Sequence, residues 1–308
     1  MSEENKITKQ TIEKSLQWYF HPNETVRMLR YFQFNLKFDN SIDYSVHYSD
    51  NPKIGVVIGT YGCIPYIDLQ LHFLKNVNHI DNILIHDDCS PYQEQLKELT
   101  NKYNVDFYST QKRMWHKSCI GSIGDTNSFY QGLLWSKYKG LDILVKLSRR
   151  LIPCYNWKDS LIQLALNSDA STFSSFCTKD PFNIRTEGIG LNVDIWTKSY
   201  PLQGLLWTIE NEYSIFAEFW MHEMAKTLSG NNYSQKWKEY CDKHKYGYLH
   251  SGYGMWQDIL GTCRYTNENR HENVLWHMYN SIEDYLNVSK QIFGDKYTLQ
   301  DFNDCENF

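Results

Sequence analysis

The sequence predicts an α/β fold: a mostly parallel central sheet with helices on both faces. Three observations lead there. From Lys53 onward, short β-branched runs alternate with segments of helical period. The runs are almost continuously apolar, as expected of strands buried on both sides. Each run also stops at glycine, acidic or basic residues, the places where such sheets bind ligands.

The first run, "IGVVIGTYG", reads as a strand closed by glycine. "YIDLQLHFLKNV" follows as a helix, with Ile67, Leu71 and Leu74 on one face. "NILIHDD" is the second strand, and "PYQEQLKELTNKY" a helix presenting Leu96, Leu99 and Tyr103. "VDFYST" is the third strand. "DTNSFYQGLLWSKYKG" is a helix with Asp125 as its N-cap and Gly140 just past its end, and "DILVKLS" is the fourth strand. Beyond Pro153 the pattern gives a helix ("WKDSLIQLALNS"), a strand ("STFSSFC"), a strand around "EGIGLNVDIW" and a helix over "EYSIFAEFWMHEMAKTLSG". A Lys-rich helix, the Gly- and Tyr-rich "YGYLHSGYGMW" and a last helix "SIEDYLNVSKQIFG" complete the chain. Before Lys53, "TIEKSLQWYF" and "ETVRMLRYF" each fit a short helix. The organisation expected is an N-terminal extension over 1–50, a catalytic domain over 51–230 and a cap of helices and loops over 231–308 on the same domain.

Composition narrows the classes. The chain has 308 residues, 42% hydrophobic and 22% charged, enough for a full core. A net charge of −5 argues against a nucleic-acid-coating protein, which needs a basic face. Eight cysteines without a CxxC pair suggest neither a zinc framework nor a disulfide scaffold. "MSEENKITKQ" carries no apolar leader, and no apolar run approaches the roughly 20 residues of a membrane helix. A cytoplasmic location is the corresponding expectation, and the oligomeric state stays open.

The strand ends carry the chemistry. The first presents Gly59, Thr60, Tyr61 and Gly62, the second His86, Asp87, Asp88, Cys89 and Ser90. A carboxylate at the end of a second parallel strand suits a nucleotide's ribose or base, although Asp-Asp-x-Ser-Pro is equally good turn chemistry. In order and spacing, "VVIGTYG" and "ILIHDDCSP" resemble the opening of a GT-A-fold glycosyltransferase of the family 2 type, with Gly62 where that family has Asn. The resemblance spans about residues 53–228. It implies a Rossmann-like nucleotide-diphospho-sugar transferase fold, with Thr60, Tyr61, Asp87 and Asp88 holding the donor nucleotide.

The same family places an Asp-x-Asp metal motif at the end of the fourth strand, where this chain has Ser148, Arg149 and Arg150. No metal ligand is expected there. Arginine forks can neutralise a departing diphosphate in place of a cation, so Arg149, Arg150, Lys146 and Lys117 are the diphosphate-binding candidates, with His116 adding to the same field. One arginine faces the site and the other points away, because side chains alternate along a strand. No cofactor beyond a UDP- or GDP-sugar donor is then required, and a divalent metal is in doubt. A solvated basic turn is the plain alternative.

An inverting transferase needs a carboxylate near the acceptor hydroxyl. The region that the resemblance assigns to it offers Glu212 and Glu218, Glu218 sharing a helix face with His222. His222, Trp256 and His277 are placed on the acceptor or cap side. The function expected is transfer of a hexosyl or pentosyl group from a nucleoside diphosphate sugar to a glycan, lipid-linked or protein-linked hydroxyl, inverting and metal-independent. The alternative is a catalytically silent GT-A domain serving as a glycan- or nucleotide-binding scaffold. A Rossmann methyltransferase or dehydrogenase fits less well, since Gly55, Gly59 and Gly62 do not form G-x-G-x-x-G. A sugar nucleotidyltransferase would need a Gly-rich basic loop after the first strand.

Overall fold

The computed structural model describes residues 41–114, 123–153, 157–167, 171–174, 176–178, 188–210, 253–255, 274–276 and 280–307, together with Met221, Met224 and Leu228. The expected alternation is present. β1 (Ile54–Thr60), α1 (Ile64–His72), β2 (Asn82–Asp87), α2 (Gln93–Tyr103), β3 (Asp106–Ser109), α3 (Ile123–Lys139) and β4 (Ile143–Ser148) follow one another. After a two-residue turn come β5 (Leu151–Pro153), α4 (Trp157–Asn167), β6 (Thr172–Ser174), β7 (Phe176–Thr178) and β8 (Gly188–Asn192). α5 (Val193–Trp196), α6 (Ser199–Glu210), β9 (Tyr253–Met255), β10 (Val274–Trp276), α7 (Ile282–Phe293) and α8 (Leu299–Asp304) complete the described elements.

The main sheet has the order β3-β2-β1-β4-β8-β6. The first four strands run parallel, and β8 is antiparallel to both β4 and β6. β1 therefore sits between β2 and β4, and its side chains divide between two cores. Val56 and Ile58 join Ile83, Ile85, Val145 and Leu147 beneath α1, α2 and α4, which contribute Ile67, Leu71, Leu96, Leu99, Trp157 and Leu161. Val57, Leu84 and Leu144 face the other way, onto Phe129 and Leu133 of α3 and Leu205 of α6. Met221, Met224 and Leu228 are helical and buried in this second core. Burying each such side chain contributes about 1.5–3 kcal/mol, so a sheet covered on both faces is the stable state of these strands.

Several local expectations are corrected. "STFSSFC" is two strands rather than one: β6 joins the main sheet, while β7 pairs with β9. The "EGIGLNVDIW" strand stops at Asn192, whose side chain accepts from the Ile195 amide at 2.9 Å and so caps α5. Asp125 lies inside the first turn of α3 and is not its cap. α6, over "SYPLQGLLWTIE", was not foreseen. Its Pro201 falls in the first turn, where a missing amide proton costs nothing.

The segment 280–307 packs against the outer face of α1. Tyr66, Leu69 and Phe73 meet Tyr285, Tyr297 and Phe302, with Cys63 and Cys305 in the same cluster. Both helices there start in capping boxes, Ser281 with Asp284 and Thr298 with Asp301. Asp68 of α1 is the polar clamp of this contact. Its buried carboxylate accepts from Tyr103 at 2.7 Å and Lys102 at 3.0 Å on α2, and from Lys296 at 2.7 Å and Tyr297 at 2.8 Å before α8. Burial alone would raise its pKa, but the bonds from Lys296, Tyr103, Lys102 and Tyr297 outweigh it and hold the pKa below the usual value of 3.8.

Asp68→Ala is expected to cost about 2–3 kcal/mol, less than breaking a fully buried pair because both lysines still reach water. Urea unfolding at neutral pH measures it. A depressed carboxylate stabilises the fold above its unfolded pKa and loses that contribution as pH falls through the folded one. The gap between wild type and variant should therefore close below about pH 4.

Candidate active site

Because β2 and β4 flank β1 on opposite sides, the chain leaves the carboxyl ends of β1 and β4 in divergent directions, which opens a crevice between them. A cleft of about 200 Å³ lies there, lined by Gly59, Thr60, Tyr61, Asp88, Arg113, Gly124, Asp125, Ser128, Ser148 and Arg149. Two glycines allow this shape. A Cβ on Gly59 would stand 2.6 Å from Ser128 Oγ, so only glycine lets α3 come this close to β1. Gly62 has φ +73°, in the left-handed region, and a Cβ there would collide with the Tyr92 ring.

The acidic pair at the end of β2 divides its labour. Asp87 is fully buried; its Oδ2 accepts from the Ser90 amide and the Ser109 hydroxyl, each at 2.9 Å, which ties the ends of β2 and β3 together. It is absent from the cleft lining. Asp88 is in the lining, and its Oδ1 accepts from the Met114 amide at 2.8 Å and Thr110 Oγ1 at 3.3 Å. This grip fixes the loop after β3, whose Arg113 guanidinium lies 3.8 Å from the centre of the Tyr61 ring. Thr60 Oγ1 donates to Gly62 O at 2.7 Å and shapes the same turn. Arg113 was not foreseen as a site residue. The basic stretch "QKRMWHK" carries its signal; His116 and Lys117, the candidates from the same stretch, lie outside the described residues.

On the β4 side, Lys146 is 1% exposed and pairs with Asp125 at 2.8 Å. A lysine buried this deeply needs a carboxylate, and the pairing brings Asp125 to the cleft. Ser148 and Arg149 line the cleft as well, whereas Arg150 turns away to an ion pair with Glu306. Both arginines lie in the turn after β4, so strand alternation does not govern them; Arg149 is the one in the cleft lining. Arg149 Nη2 also donates to Cys305 O at 3.0 Å. The turn between β4 and β5 is braced from below by Gln70, whose amide nitrogen donates to Ser148 O and Leu151 O, both at 2.6 Å. Glu212, Glu218, His222, Trp256 and His277 lie outside the described residues.

Under the cleft floor, His86 is fully buried, stacked on Tyr108 and flanked by Asn127 and Ser128. Ser128 Oγ donates to Gly124 O, so it accepts from His86 Nδ1, while the Asn127 amide donates to Nε2. Both ring nitrogens are thereby satisfied in the neutral form. Desolvation then pushes the pKa down to about 4.

No protein-family model matches the chain, and no curated protein matches it. Solved structures do. A cytidylyltransferase from Leptospira borgpetersenii serovar Hardjo-bovis is 15% identical, with a TM-score of 0.33 over 54% of this chain and 75% of the other. A core-mannan synthase from Aspergillus fumigatus in an Mn/GDP form is 7% identical, with a TM-score of 0.38 over 61% and 73%. A mannosyltransferase from Pyrobaculum calidifontis in complex with GDP-Man and Mn2+ is 11% identical, with a TM-score of 0.37 over 67% and 65%. At these scores the likeness does not fix a family.

The expectation that no divalent metal is required is corrected. Two of these three structures are named for manganese beside the nucleotide, and the arginines that were to replace the cation are partly committed to the segment 305–306. Nor do the described carboxylates amount to a cation site. Asp125 is held by Lys146, Asp88 by two donors, and among the described residues no three His, Cys, Asp or Glu side chains converge. No helix of the described residues is long and apolar enough to cross a membrane.

His86 gives this region a pH signature. Its folded pKa lies below the ordinary 6.5, so the unfolded chain binds the extra proton between about pH 6.5 and pH 4, and stability falls with acidification across that window. The full loss is on the order of 3 kcal/mol. His86→Asn should flatten the stability profile between pH 6.5 and pH 4 in urea titrations, measured relative to its own value at pH 7.

Proposed function

We propose that this chain is a glycosyltransferase of GT-A type that binds a nucleoside diphosphate sugar in the cleft between β1 and β4 and transfers the sugar to a hydroxyl acceptor. The observation that carries this reading is the polarity of the cleft: Tyr61, Asp88 and Arg113 on the β2 side and Arg149 beside Ser148 on the β4 side. The first group has an aromatic face and a carboxylate for a nucleoside. The second offers a guanidinium to a diphosphate.

In the transfer step negative charge grows on the departing diphosphate, and a fixed cationic donor stabilises it more in the transition state than in the bound donor. Its place in the cleft lining supports Arg149 as that donor. Lys146 and Asp125 form a nearly neutral pair beneath it, and Lys146 acts by positioning Asp125 at the wall. A divalent cation, where one takes part, would supply further charge neutralisation at the diphosphate; no described side chain is assigned to it. Proton removal from the acceptor falls to Glu218 or Glu212, the carboxylates that the family resemblance implies. Inversion, as a single displacement assisted by one such base, belongs to the same proposal.

The test is calorimetric binding of UDP and GDP in the presence of Mn2+, repeated with chelator to measure the share of affinity that passes through a cation. Arg149→Ala should weaken nucleoside diphosphate about tenfold to a hundredfold, the value of one or two charge-assisted bonds, and leave the bare nucleoside unchanged. Equal binding of the diphosphate by variant and wild type would remove Arg149 from the site. Glu218→Gln and Glu212→Gln, assayed for donor turnover, then identify the base.

A further inference from the structure

The β4–β5 turn is held from outside by residues distant in sequence. Arg149 donates to Cys305 O, Arg150 pairs with Glu306, and Tyr285 donates to Arg150 O. Two buried thiols lie within this junction. Cys63 is 3% exposed at the start of α1, directly after the turn that shapes the cleft, and Cys305 is 3% exposed after α8. Both are free. Cys63 Sγ donates toward Tyr61 O at 3.6 Å and toward Cys305 O at 3.7 Å, across a separation of 242 residues. Cys305 Sγ in turn donates to Asp301 O at 3.2 Å, within the same buried cluster as Cys63.

We propose that Cys63 and Cys305 form a redox-sensitive pair, and that their disulfide pins the segment 299–307 to the start of α1 and so fixes the Cys305 carbonyl against Arg149 of the β4–β5 turn. The pair resembles neither a metal framework nor a structural staple: its members come from two unrelated elements that meet only where 280–307 covers α1. The reactive member is Cys63. Its hydrogen bond with Cys305 lowers its pKa, burial opposes this, and Arg149 and Arg150 nearby lower it further. The pKa of Cys305 is raised by the same hydrogen bond with Cys63 and by burial.

The oxidant is a small-molecule disulfide. The Cys63 thiolate attacks one of its sulfurs, breaking that S–S bond and releasing one small thiolate. The Cys305 sulfur, losing its proton, then displaces the second small thiol from the mixed disulfide. A protein S–S bond has formed, the oxidant has been reduced to two thiols, and the protons given up by the cysteines reside on them. Access requires 299–307 to open locally, a motion limited by the packing of a six-residue helix. Once the bond forms, that opening is suppressed.

The consequence for ligand binding rests on the proposed donor site; the disulfide itself does not. Full-length protein is equilibrated with excess glutathione disulfide and a catalytic thiol–disulfide oxidoreductase, alkylated without reduction, and mapped by peptide mass spectrometry. The expected result is a peptide linking Cys63 to Cys305, with loss of both free thiols. Cys63→Ser and Cys305→Ser should each abolish it, and hydrogen exchange across 299–307 should slow in the oxidised wild type alone. Recovery of both residues as free thiols, a lasting glutathione adduct on Cys63, or pairing of either residue with another cysteine would overturn the proposal. With the disulfide formed, calorimetry with UDP and GDP reads the coupling. Weaker binding that reduction restores supports a constrained Arg149. Unchanged affinity where the reduced protein does bind refutes that consequence, whereas no binding by either form counts against the donor site alone.

Discussion

β1 lies between two parallel neighbours, and the cleft depends on that single pairing constraint. β2 and β4 are registered against the same stretch of β1, Gly59 facing His86 on one side and Ser148 on the other. Three chain segments consequently finish at one level, and their continuations cannot all occupy the same space. The chain after β1 turns through Gly62 into α1, the chain after β2 turns through Asp87 and Ser90 toward α2, and the chain after β4 reverses at once into β5. A space remains where these paths separate. The apolar pairing energy of the sheet maintains that space, so the polar groups around it need not contribute much to stability themselves.

The charges at the cleft follow from how deeply each can be buried. Lys146 points from a core strand toward α3, and burial at that depth would discharge or expel a lone ammonium. Asp125 answers it from the first turn of α3, where the helix dipole also favours a carboxylate. Asp88 is satisfied by the loop that it immobilises. Among the described residues no carboxylate pairs with Arg149, whose guanidinium donates to the Cys305 carbonyl. A neutral carbonyl leaves a guanidinium's charge uncompensated, and a phosphate could claim it without first breaking an ion pair. Arg150 differs in this respect, because Glu306 already neutralises it.

Much of the fold was legible because the strands are apolar on both faces and the helices on one. Ile67, Leu71, Leu96, Leu99 and Tyr103 all face the core that their spacing assigned to them. Less regular features left weaker signals. α6 carries Pro201, Gly204 and aromatic residues in place of a clean stripe, and β6 and β7 are three-residue strands whose division depends on partners far away in sequence. At the site, strand ends and their residue types are legible in the sequence, and Thr60, Tyr61, Asp88 and Arg149 from those ends all line the cleft. Which of two adjacent residues faces inward is decided by packing instead. Asp87 serves the β2–β3 junction and Asp88 the cleft, and tandem acids carry no mark of that division. Arg113 reaches the site through the loop that Asp88 grips at Met114, a contact between residues 26 apart that periodicity does not encode.

The turn carrying Arg149 shows how far support for a site can extend beyond its lining. Gln70 on α1 donates to both ends of the turn, and Asn78, shortly after α1, donates to Pro153 O at the end of β5 while its own oxygen accepts from the Trp157 amide at the start of α4. β5 is further tied to β10, and Tyr285 and Glu306 reach the turn from the opposite face. A two-residue turn has few internal hydrogen bonds, so its conformation is set by these external contacts. A guanidinium can be pre-organised for an anion only to the extent that its backbone is. Here the backbone is gripped by α1 on one side and by 280–307 on the other. The position of Arg149 is therefore a property of the packing between those two segments, and anything that shifts their contact shifts the charge at the cleft.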